Sequence, residues 1–593
     1  MSVLAAGASG GGRHLDLRRP ARVHLVGIGG AGMSGIATIL ATMGHTVTGS
    51  DRRGSPALDR LADQGVTVGV GHDLDLVASA EVVGASSAVP PSDPELVEAV
   101  RLGIGVRWRV ELLAAICELR RTVAVAGTKG KSTTTAMIAH ILEAAGERPS
   151  LLVGADLPGL VGGARWVPDS DWFVVEADES DGTFLALPAE AVVVTNVEDD
   201  HLDCYGSAAA LREAFFDFAS RAARVAVVGV DSPGSRSLVS ALTASSAGGG
   251  PGSGTRPAAT RGAGGAASAG GAASAGGGGL TPAGGGSPEE ATGVPAAFRA
   301  ARELLGLRSV ASRRPGVARR ASGGPRVVTF GTAEDAEVRV LDVRSERASA
   351  RFSVLPGPLG APDGETGSVG LPAPGGRGGG SRALGAGVPP VARAGGPVLE
   401  VELSVPGLHN ARNASGALAL AASIGIGLEV GVGALATYRP VGRRFEWRGE
   451  QDGVGFVDDY AHVPSAVEAT LATARAGGWR RIVAVFQPHL YSRTEALGGA
   501  LGEALSSADL VVVTDVYGAR EDPRPGVDGR IVAAAARRAR PDLDVRYVAE
   551  RSALASVVRD LLRPGDLCLS LGAGDITALA GEIARLGAPG EGR

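Results

Sequence analysis

The chain has 593 residues, 91 of them glycine, and its 58 basic and 63 acidic side chains give a formal net charge of −5. That balance offers no electrostatic case for nucleic acid or an anionic membrane surface, and no apolar run reaches the ~18 residues of a membrane span. Cys117, Cys204 and Cys568 are far apart and lack metal-ligand spacing, so a reducing cytoplasm is expected rather than a disulfide framework. The N-terminal stretch carries no signal-peptide h-region, which agrees with a cytoplasmic expectation.

Two stretches, 244–325 and 356–397, are mostly Gly, Ala, Ser, Pro and Arg. Neither can bury enough apolar surface to offset chain entropy, so both are expected to be disordered insertions. Roughly 470 residues remain, enough for three compact α/β domains.

The first unit opens with Val23-His24-Leu25-Val26, a buried strand, and runs into Gly27-Ile28-Gly29-Gly30-Ala31-Gly32-Met33-Ser34. This is G-x-G-x-x-G at 27, 29 and 32, followed by a helix through Met43. A second strand, Thr46–Gly49, ends at Ser50-Asp51, where a dinucleotide fold places its ribose-binding carboxylate. Strands at 81–85 and 104–106 would complete a small parallel sheet.

The second unit holds the only two lysines, both within Gly127-Thr128-Lys129-Gly130-Lys131-Ser132-Thr133. Every other basic side chain is arginine, so this loop is a place where a compact ammonium is required and a planar guanidinium will not serve. Strand 121–126 precedes the loop and helix 132–145 follows it, which points backbone N–H groups and a helix N-terminus at an anion. The loop is a short variant, with Val125 where the usual first glycine stands. Strand 172–176 then ends in Glu176-Ala177-Asp178-Glu179-Ser180-Asp181, and strand 191–195 ends in Asn196-Val197-Glu198-Asp199-Asp200-His201-Leu202-Asp203. Two adjacent strands delivering acids and a histidine to one sheet edge suit Mg²⁺ beside a triphosphate.

The third unit begins near Pro406. Its polar strings are His409-Asn410-Ala411-Arg412-Asn413, Gly442–Glu446, Asp458-Asp459-Tyr460-Ala461-His462-Val463-Pro464, Gln487–Thr494, Asp515-Val516-Tyr517 and Gly572–Ile576. Each is expected to follow a buried strand, on one edge of a parallel sheet.

Together these strings resemble the Mur ligases of peptidoglycan synthesis, over residues 14–242 and 326–580 apart from the second insertion. The match is specific at His24–Ala37, Gly127–Thr133, Glu176–Phe184, Asn196–Gly206, His409–Asn413, Asp458–Pro464, Gln487–Thr494 and Gly572–Ile576. Within the family it is nearest to the members that join L-alanine to UDP-N-acetylmuramate at the expense of ATP. The resemblance implies an α/β fold of three domains. These are a Rossmann-like UDP-sugar module at 14–117, a central P-loop-type ATPase at 118–406 containing both insertions, and a C-terminal Rossmann-like module at 407–593.

The resemblance also implies roles. Gly127, Thr128, Lys129, Gly130, Lys131, Ser132 and Thr133 would hold ATP, with His409, Asn410, Asn413, Arg444 and Asp459 closing on it. Ser132, Glu176 and His201 would serve Mg²⁺. Gly27, Gly29, Gly30, Ala31, Gly32, Met33, Ser34, Asp51, Ser86 and Ser87 would hold the UDP-sugar. Tyr460, His462 and Arg493 would line the amino-acid pocket, and Lys131, Glu176, His201, His462 and Arg493 would carry the catalysis. The chain departs from the family pattern at three positions. Lys129 stands where relatives have His or Asn, Val463 where many have a second His, and Leu490 where some have Arg. The carbamylated lysine of several sister ligases has no counterpart, since no lysine follows Lys131. Rival expectations are a recycling ligase that attaches a preformed peptide to the same UDP-sugar, a folate polyglutamylating ligase, and a silent nucleotide-binding paralogue. The partners expected are small molecules only, and the assembly a monomer or homodimer.

Overall fold

Runs of β-branched residues bounded by glycine turns build three sheets. They are described by a computed structural model for residues 15–157, 160, 162–247, 324–357, 397–519 and 521–587. The first comprises β1 (Arg22–Val26), β2 (Thr46–Asp51), β3 (Thr67–Val70), β4 (Val82–Ala85) and β5 (Gly105–Trp108), in the order β3-β2-β1-β4-β5. Every pairing in it is parallel. The central strand β1 is buried from Val23 to Val26, and the helix Ala31–Thr42 covers one face. Strand β3 has no counterpart in the sequence reading. It is a four-residue edge strand whose Val70 is 67% exposed, so its sequence lacks the apolar density of the inner strands.

The central sheet has ten strands: β6 (Arg121–Ala126), β7 (Ser150–Leu152), β8 (Ala164–Arg165), β9 (Trp172–Glu176), β10 (Ala191–Val194), β11 (Val225–Gly229), β12 (Arg326–Gly331), β13 (Val338–Ser345), β14 (Ala350–Pro356) and β15 (Leu399–Leu403). Their order is β15-β14-β13-β12-β11-β10-β6-β9-β7-β8. This corrects one expectation. The acid-bearing strands β9 and β10 are not neighbours; each pairs with β6, one on either side. The strand order therefore reverses at β6, and a crevice opens at its carboxyl end, where open α/β sheets bind ligands.

The third sheet comprises β16 (Glu446–Gln451), β17 (Val454–Asp459), β18 (Arg481–Phe486), β19 (Leu510–Thr514), β20 (Asp544–Val548) and β21 (Asp566–Leu571), in the order β16-β17-β21-β18-β19-β20. Only β16 runs antiparallel. The strings beginning at Asp458, Gln487, Asp515 and Gly572 do share the carboxyl edge of this sheet.

The string His409–Asn413 does not share that edge. It opens the helix Leu408–Ser423, which packs on the phosphate-loop helix Lys131–Ala144 and on β12. The approach is close: a Cβ on Gly416 would lie 2.7 Å from the Phe330 ring. One hydrophobic core joins Val123, Met137, Leu418, Leu435 and Val441, and the next begins at Phe445. The packing therefore divides near Gly442, not at 407. The sequence reading erred because β15 is an antiparallel extension of the central sheet, so the helix after it returns to that sheet. Of the two expected insertions, residues 248–323 and 358–396 lie outside the described residues. The flanks are ordered as the helix Pro233–Ala247, β12, β14 and β15. Among the described residues no helix is long and apolar enough to cross a membrane.

Candidate functional site

The loop between β6 and the helix Lys131–Ala144 depends on two glycines. Gly127 has φ 132°, and a Cβ there would lie 2.0 Å from Thr195 Oγ1. Gly130 has φ 84°, and its Cβ would meet Asn413 Oδ1 at 2.4 Å. Glycine is the residue that tolerates both conditions. The far side of the loop is strapped to the end of β10. Lys129 N–H donates to Asn196 Oδ1 (3.0 Å), Asn196 Nδ2 donates to Lys129 O (2.9 Å), and Thr195 Oγ1 donates to the same carbonyl (2.6 Å). Thr128 N–H donates to Asn196 O (3.1 Å), and Glu198 N–H to Thr128 Oγ1 (3.0 Å).

Inside that frame the two lysines differ. Lys131 Nζ donates to Gly127 O (3.0 Å) and to Glu179 Oε1 (2.8 Å), and its side chain is 16% exposed. Burial works against its charge, but Glu179, Asp178 and Glu176 outweigh burial and hold its pKa above the usual lysine value. Lys129 instead points its ammonium at Glu198 Oε2, 2.5 Å away. Its charge is thus neutralised beside the loop. We expect Lys129→His to keep kcat within about fivefold, because the strap is made by its backbone and not by its side chain. A steady-state loss above a hundredfold would assign the ammonium a direct part in turnover.

Ser132 Oγ donates to Glu176 Oε1 (3.0 Å), and Gly154 N–H holds the other oxygen (2.8 Å). Hydroxyl and carboxylate therefore sit together at the helix N-terminus, a hard oxygen pair of the kind Mg²⁺ takes. His201 has φ 52°, and its Nε2 lies 3.9 Å from Glu179 Oε1. Thr133 is buried behind the loop. Asn410 Nδ2 is bonded to Pro406 O (2.7 Å), and Asn413 Nδ2 to Asn410 Oδ1 (3.5 Å), beside Gly130.

The C-terminal unit reaches this crevice through direct contacts. Gly442 N–H donates to Asp156 O (3.0 Å), and His409 Nδ1 faces Thr473 Oγ1 (3.5 Å). Its polar edge carries a chain of rings: Tyr460 to His462 at 5.1 Å, His462 to His489 at 6.0 Å, and His489 stacked on Tyr517 at 5.9 Å. Arg493 Nη1 lies 3.1 Å from His489 Nδ1. Burial lowers the Arg493 pKa, against the carboxylates of Asp200 and Glu521. Leu490 enters the helix Tyr491–Leu505 with φ 68°, a conformation that L-residues rarely adopt.

Asp459 is spent inside its own domain. Its oxygens accept from Phe445 N–H (2.7 Å), Ala461 N–H (2.8 Å) and Thr470 Oγ1 (3.2 Å). It therefore shapes the turn that presents Arg444 and Tyr460. Arg443 is also tied down, by Asp458 (3.3 Å) and by the Gly572 and Ala573 carbonyls. Arg444 is exposed, with its guanidinium 5.4 Å over the Tyr460 ring.

His462 is pushed down to about 4, first by burial and then by Arg493, His489 and Arg444, against a hydrogen bond to Tyr460 O. A folded-state pKa below the ordinary value of about 6.5 means that the unfolded chain takes up the proton first as pH falls. The stability this group contributes is complete above about 6.5 and is lost on acidification toward 4. His462→Gln should therefore lose fewer degrees of Tm than the wild type between pH 7 and pH 5. Equal losses would mean that the imidazole is unperturbed.

In the first domain, Gly27 and Ile28 N–H groups donate to Ser50 O (2.8 and 3.0 Å), and Gly29 N–H to Asp51 Oδ2 (3.0 Å). Asp51 thus braces the glycine loop, and Gly30 begins the helix as its N-cap. Met33 and Ser34 are buried, Met33 as a core side chain. Ser86 and Ser87 follow β4, and Ser86 lies beside Gly27. Two residues were missed from sequence. Arg109, just after β5, would touch a Cβ on Gly32 and lies 3.4 Å from Asp181 Oδ2, joining the glycine loop to the acidic run. Glu179 was not assigned to the site from sequence, yet it is 1% exposed and paired with Lys131. A lone Arg offers no sequence signal. For Glu179 the signal is an acid three residues beyond a strand-end acid.

Three family models match in order along the chain: the Mur ligase catalytic domain at 22–121, the Mur ligase middle domain at 125–247 and the Mur ligase glutamate ligase domain at 443–574. The chain belongs to the Mur ligase family. The third match begins where the packing changes core, after Gly442. Among curated Mur ligases, the UDP-N-acetylmuramate–L-alanine ligase of Kineococcus radiotolerans is 38% identical over 575 residues, 96% of each chain. That of Cutibacterium acnes is 35% identical over 566 residues, 95% of each. Among solved structures, the UDP-N-acetylmuramate–alanine ligase of Thermotoga maritima superposes with a TM-score of 0.65 at 23% identity, covering 95% of this chain and 99% of that one. The murein peptide ligase of Psychrobacter arcticus shares the fold with a TM-score of 0.55 at 17% identity, covering 95% and 98%.

Proposed function

We propose that this Mur ligase joins L-alanine to the lactyl carboxylate of UDP-N-acetylmuramate, using ATP and Mg²⁺, in the cytoplasm. A carboxylate is a poor electrophile, so amide formation needs an activated acyl group. Transfer of the γ-phosphoryl of ATP to the lactyl oxygen gives an acyl phosphate and ADP. The alanine amine then attacks the acyl carbon, and phosphate leaves from the tetrahedral intermediate.

The observation that carries this reading is the meeting of two kinds of site across one crevice. On one side are Lys131 and the Ser132–Glu176 pair; on the other is the C-terminal unit that carries Arg493, joined to the first side by Gly442 N–H on Asp156 O and by Thr473 against His409. The first step brings two anions together, so it needs fixed positive potential. Lys131 and the helix N-terminus supply it, and Asn413 and Arg444 close on the nucleotide. Ser132 and Glu176 would hold the Mg²⁺, which when bound neutralises charge between the β- and γ-phosphates. The first-domain glycine loop, with Ser86 and Ser87, would hold the UDP-sugar. Arg493 takes the alanine carboxylate, while Tyr460 and His462 wall the pocket. His462 is neutral at physiological pH and able to accept a proton, and a bound carboxylate on Arg493 would raise its basicity.

Phosphate release should require UDP-N-acetylmuramate, ATP and Mg²⁺ together, with L-Ala favoured over Gly, L-Ser and a tripeptide assayed in parallel. A preference for the tripeptide would replace this reading with the peptide-recycling reaction.

A further inference from the structure

The first domain carries a second group of ionisable side chains, none of which the ligase reading uses. His72 follows β3, and Asp93 caps the helix Pro94–Arg101 after β4, with Glu95 in the first turn of that helix. His72 Nδ1 lies 3.8 Å from Asp93 Oδ1 and 3.9 Å from Glu95 Oε2. One ligand atom from each of the three residues falls within 4.8 Å of the other two. Both acids are buried, Glu95 at 0% exposure, while His72 is 42% exposed and opens the group to solvent.

Two buried carboxylates side by side need a positive partner. Among the described residues no Arg or Lys lies within ion-pair distance of either; only imidazoles do. Burial pushes the Glu95 pKa up, yet His24, the Asp73 N–H (2.7 Å) and the Ser50 hydroxyl (2.5 Å) together hold it below the ordinary value, so the carboxylate is charged. His24 supplies an independent sign. It is 0% exposed, and its Nδ1 is bonded to Thr48 Oγ1 at 2.8 Å. Its Nε2 points at Glu95 Oε1 from 3.5 Å without completing a hydrogen bond. An enclosed imidazole placed this way suits an outer partner that orients a metal-binding carboxylate.

One imidazole nitrogen and two carboxylate oxygens, with a fourth position open to water, form a donor set that Zn²⁺ takes. Bonds of about 2.0–2.2 Å set tetrahedral ligands roughly 3.3–3.5 Å apart, so a shift of about half an ångström by the exposed His72 closes the site. We infer that His72, Asp93 and Glu95 bind a divalent cation of the Zn²⁺ class that fastens β3 to the helix Pro94–Arg101. Strand β3 is a four-residue edge strand with little apolar cover of its own, and the cation ties its end to the buried Glu95. Ser50, bonded to the same carboxylate, precedes the Asp51 that braces the glycine loop. The cation therefore stiffens the support of that loop, and the inference stands whether or not the ligase reading does.

Zn²⁺ titrated calorimetrically into the metal-free full chain, with Mg²⁺ and ADP in excess to occupy the phosphate loop, tests this. The wild type should bind one Zn²⁺ per chain saturably, and its thermal midpoint should rise with Zn²⁺. His72→Ala and Asp93→Asn leave the enclosed Glu95 in place, and Asn keeps an oxygen to cap the helix. Each should bind Zn²⁺ at least tenfold more weakly and lose the rise in midpoint, with an unchanged midpoint in the absence of Zn²⁺ showing that the fold is kept. No saturable Zn²⁺ in the wild type would overturn the inference. So would Zn²⁺ bound equally well by the wild type and both variants, since that cation would lie elsewhere.

Discussion

Lys131→Arg is expected to lose more than nine-tenths of kcat while the protein folds normally. The ammonium sits in a slot between Gly127 O and Glu179 Oε1, at 3.0 and 2.8 Å, and is largely enclosed. A guanidinium keeps the charge but is planar and wider, so its charge cannot occupy the same point between backbone and carboxylate. A displacement of about 1 Å in a phosphoryl-transfer site costs on the order of a hundredfold. Glu179 should pair with arginine as readily as with lysine, so the thermal midpoint should move little. Single-turnover kinetics at saturating ATP check the rate. A variant with more than about a tenth of wild-type kcat, a loss below roughly 1.4 kcal/mol, would show that charge alone suffices.

Gly127→Ala should be strongly damaging, its added Cβ making the shortest such contact among the described glycines. The added Cβ would lie 2.0 Å from Thr195 Oγ1, 2.9 Å from Thr195 N and 3.0 Å from Asn196 N, at φ 132°. Two of those three atoms are backbone of the strap that holds Lys129, so the loop and the end of β10 cannot both stay in place. Overpacking and an unfavourable φ together suggest a destabilisation of about 3 kcal/mol, with nucleotide binding lost as well. Gly44→Ala is the control, because Gly44 also has a positive φ (91°) but open space around its Cβ position. It should cost only about 1 kcal/mol, from the backbone alone. Urea unfolding of the two variants measures the difference, and equal losses would mean that the contact with Thr195 is not tight.

The glycine loops, the strand ends and the order of the polar strings were legible because each rests on local chemistry. A phosphate loop needs Gly127, Gly130 and Lys131 in sequence, and a buried strand needs a run such as Val123-Ala124-Val125. Pairing between strands is not local. Nothing in 172–176 or 191–194 says that β6 will lie between them, since all three are equally apolar. The helix Leu408–Ser423 was assigned to the wrong core for the same reason. Its small apolar residues Ala411, Ala414, Ala417 and Leu418 suit any flat sheet, and Gly416 against Phe330 selects the central one only in three dimensions. Glu179 went unrecognised because its sequence neighbours Asp178 and Asp181 are also acidic. Burial, which sequence does not display, is what sets it apart.

The central claim is that the lactyl carboxylate is activated as an acyl phosphate before the amine attacks. The most direct measurement uses UDP-N-acetylmuramate carrying ¹⁸O in its lactyl carboxylate, with ATP, Mg²⁺ and L-alanine, and mass analysis of the released phosphate. One labelled oxygen should appear in each phosphate, because the bond that breaks in the second step joins the acyl carbon to an oxygen that began in the substrate. Phosphate free of label alongside full formation of the amide would contradict the account.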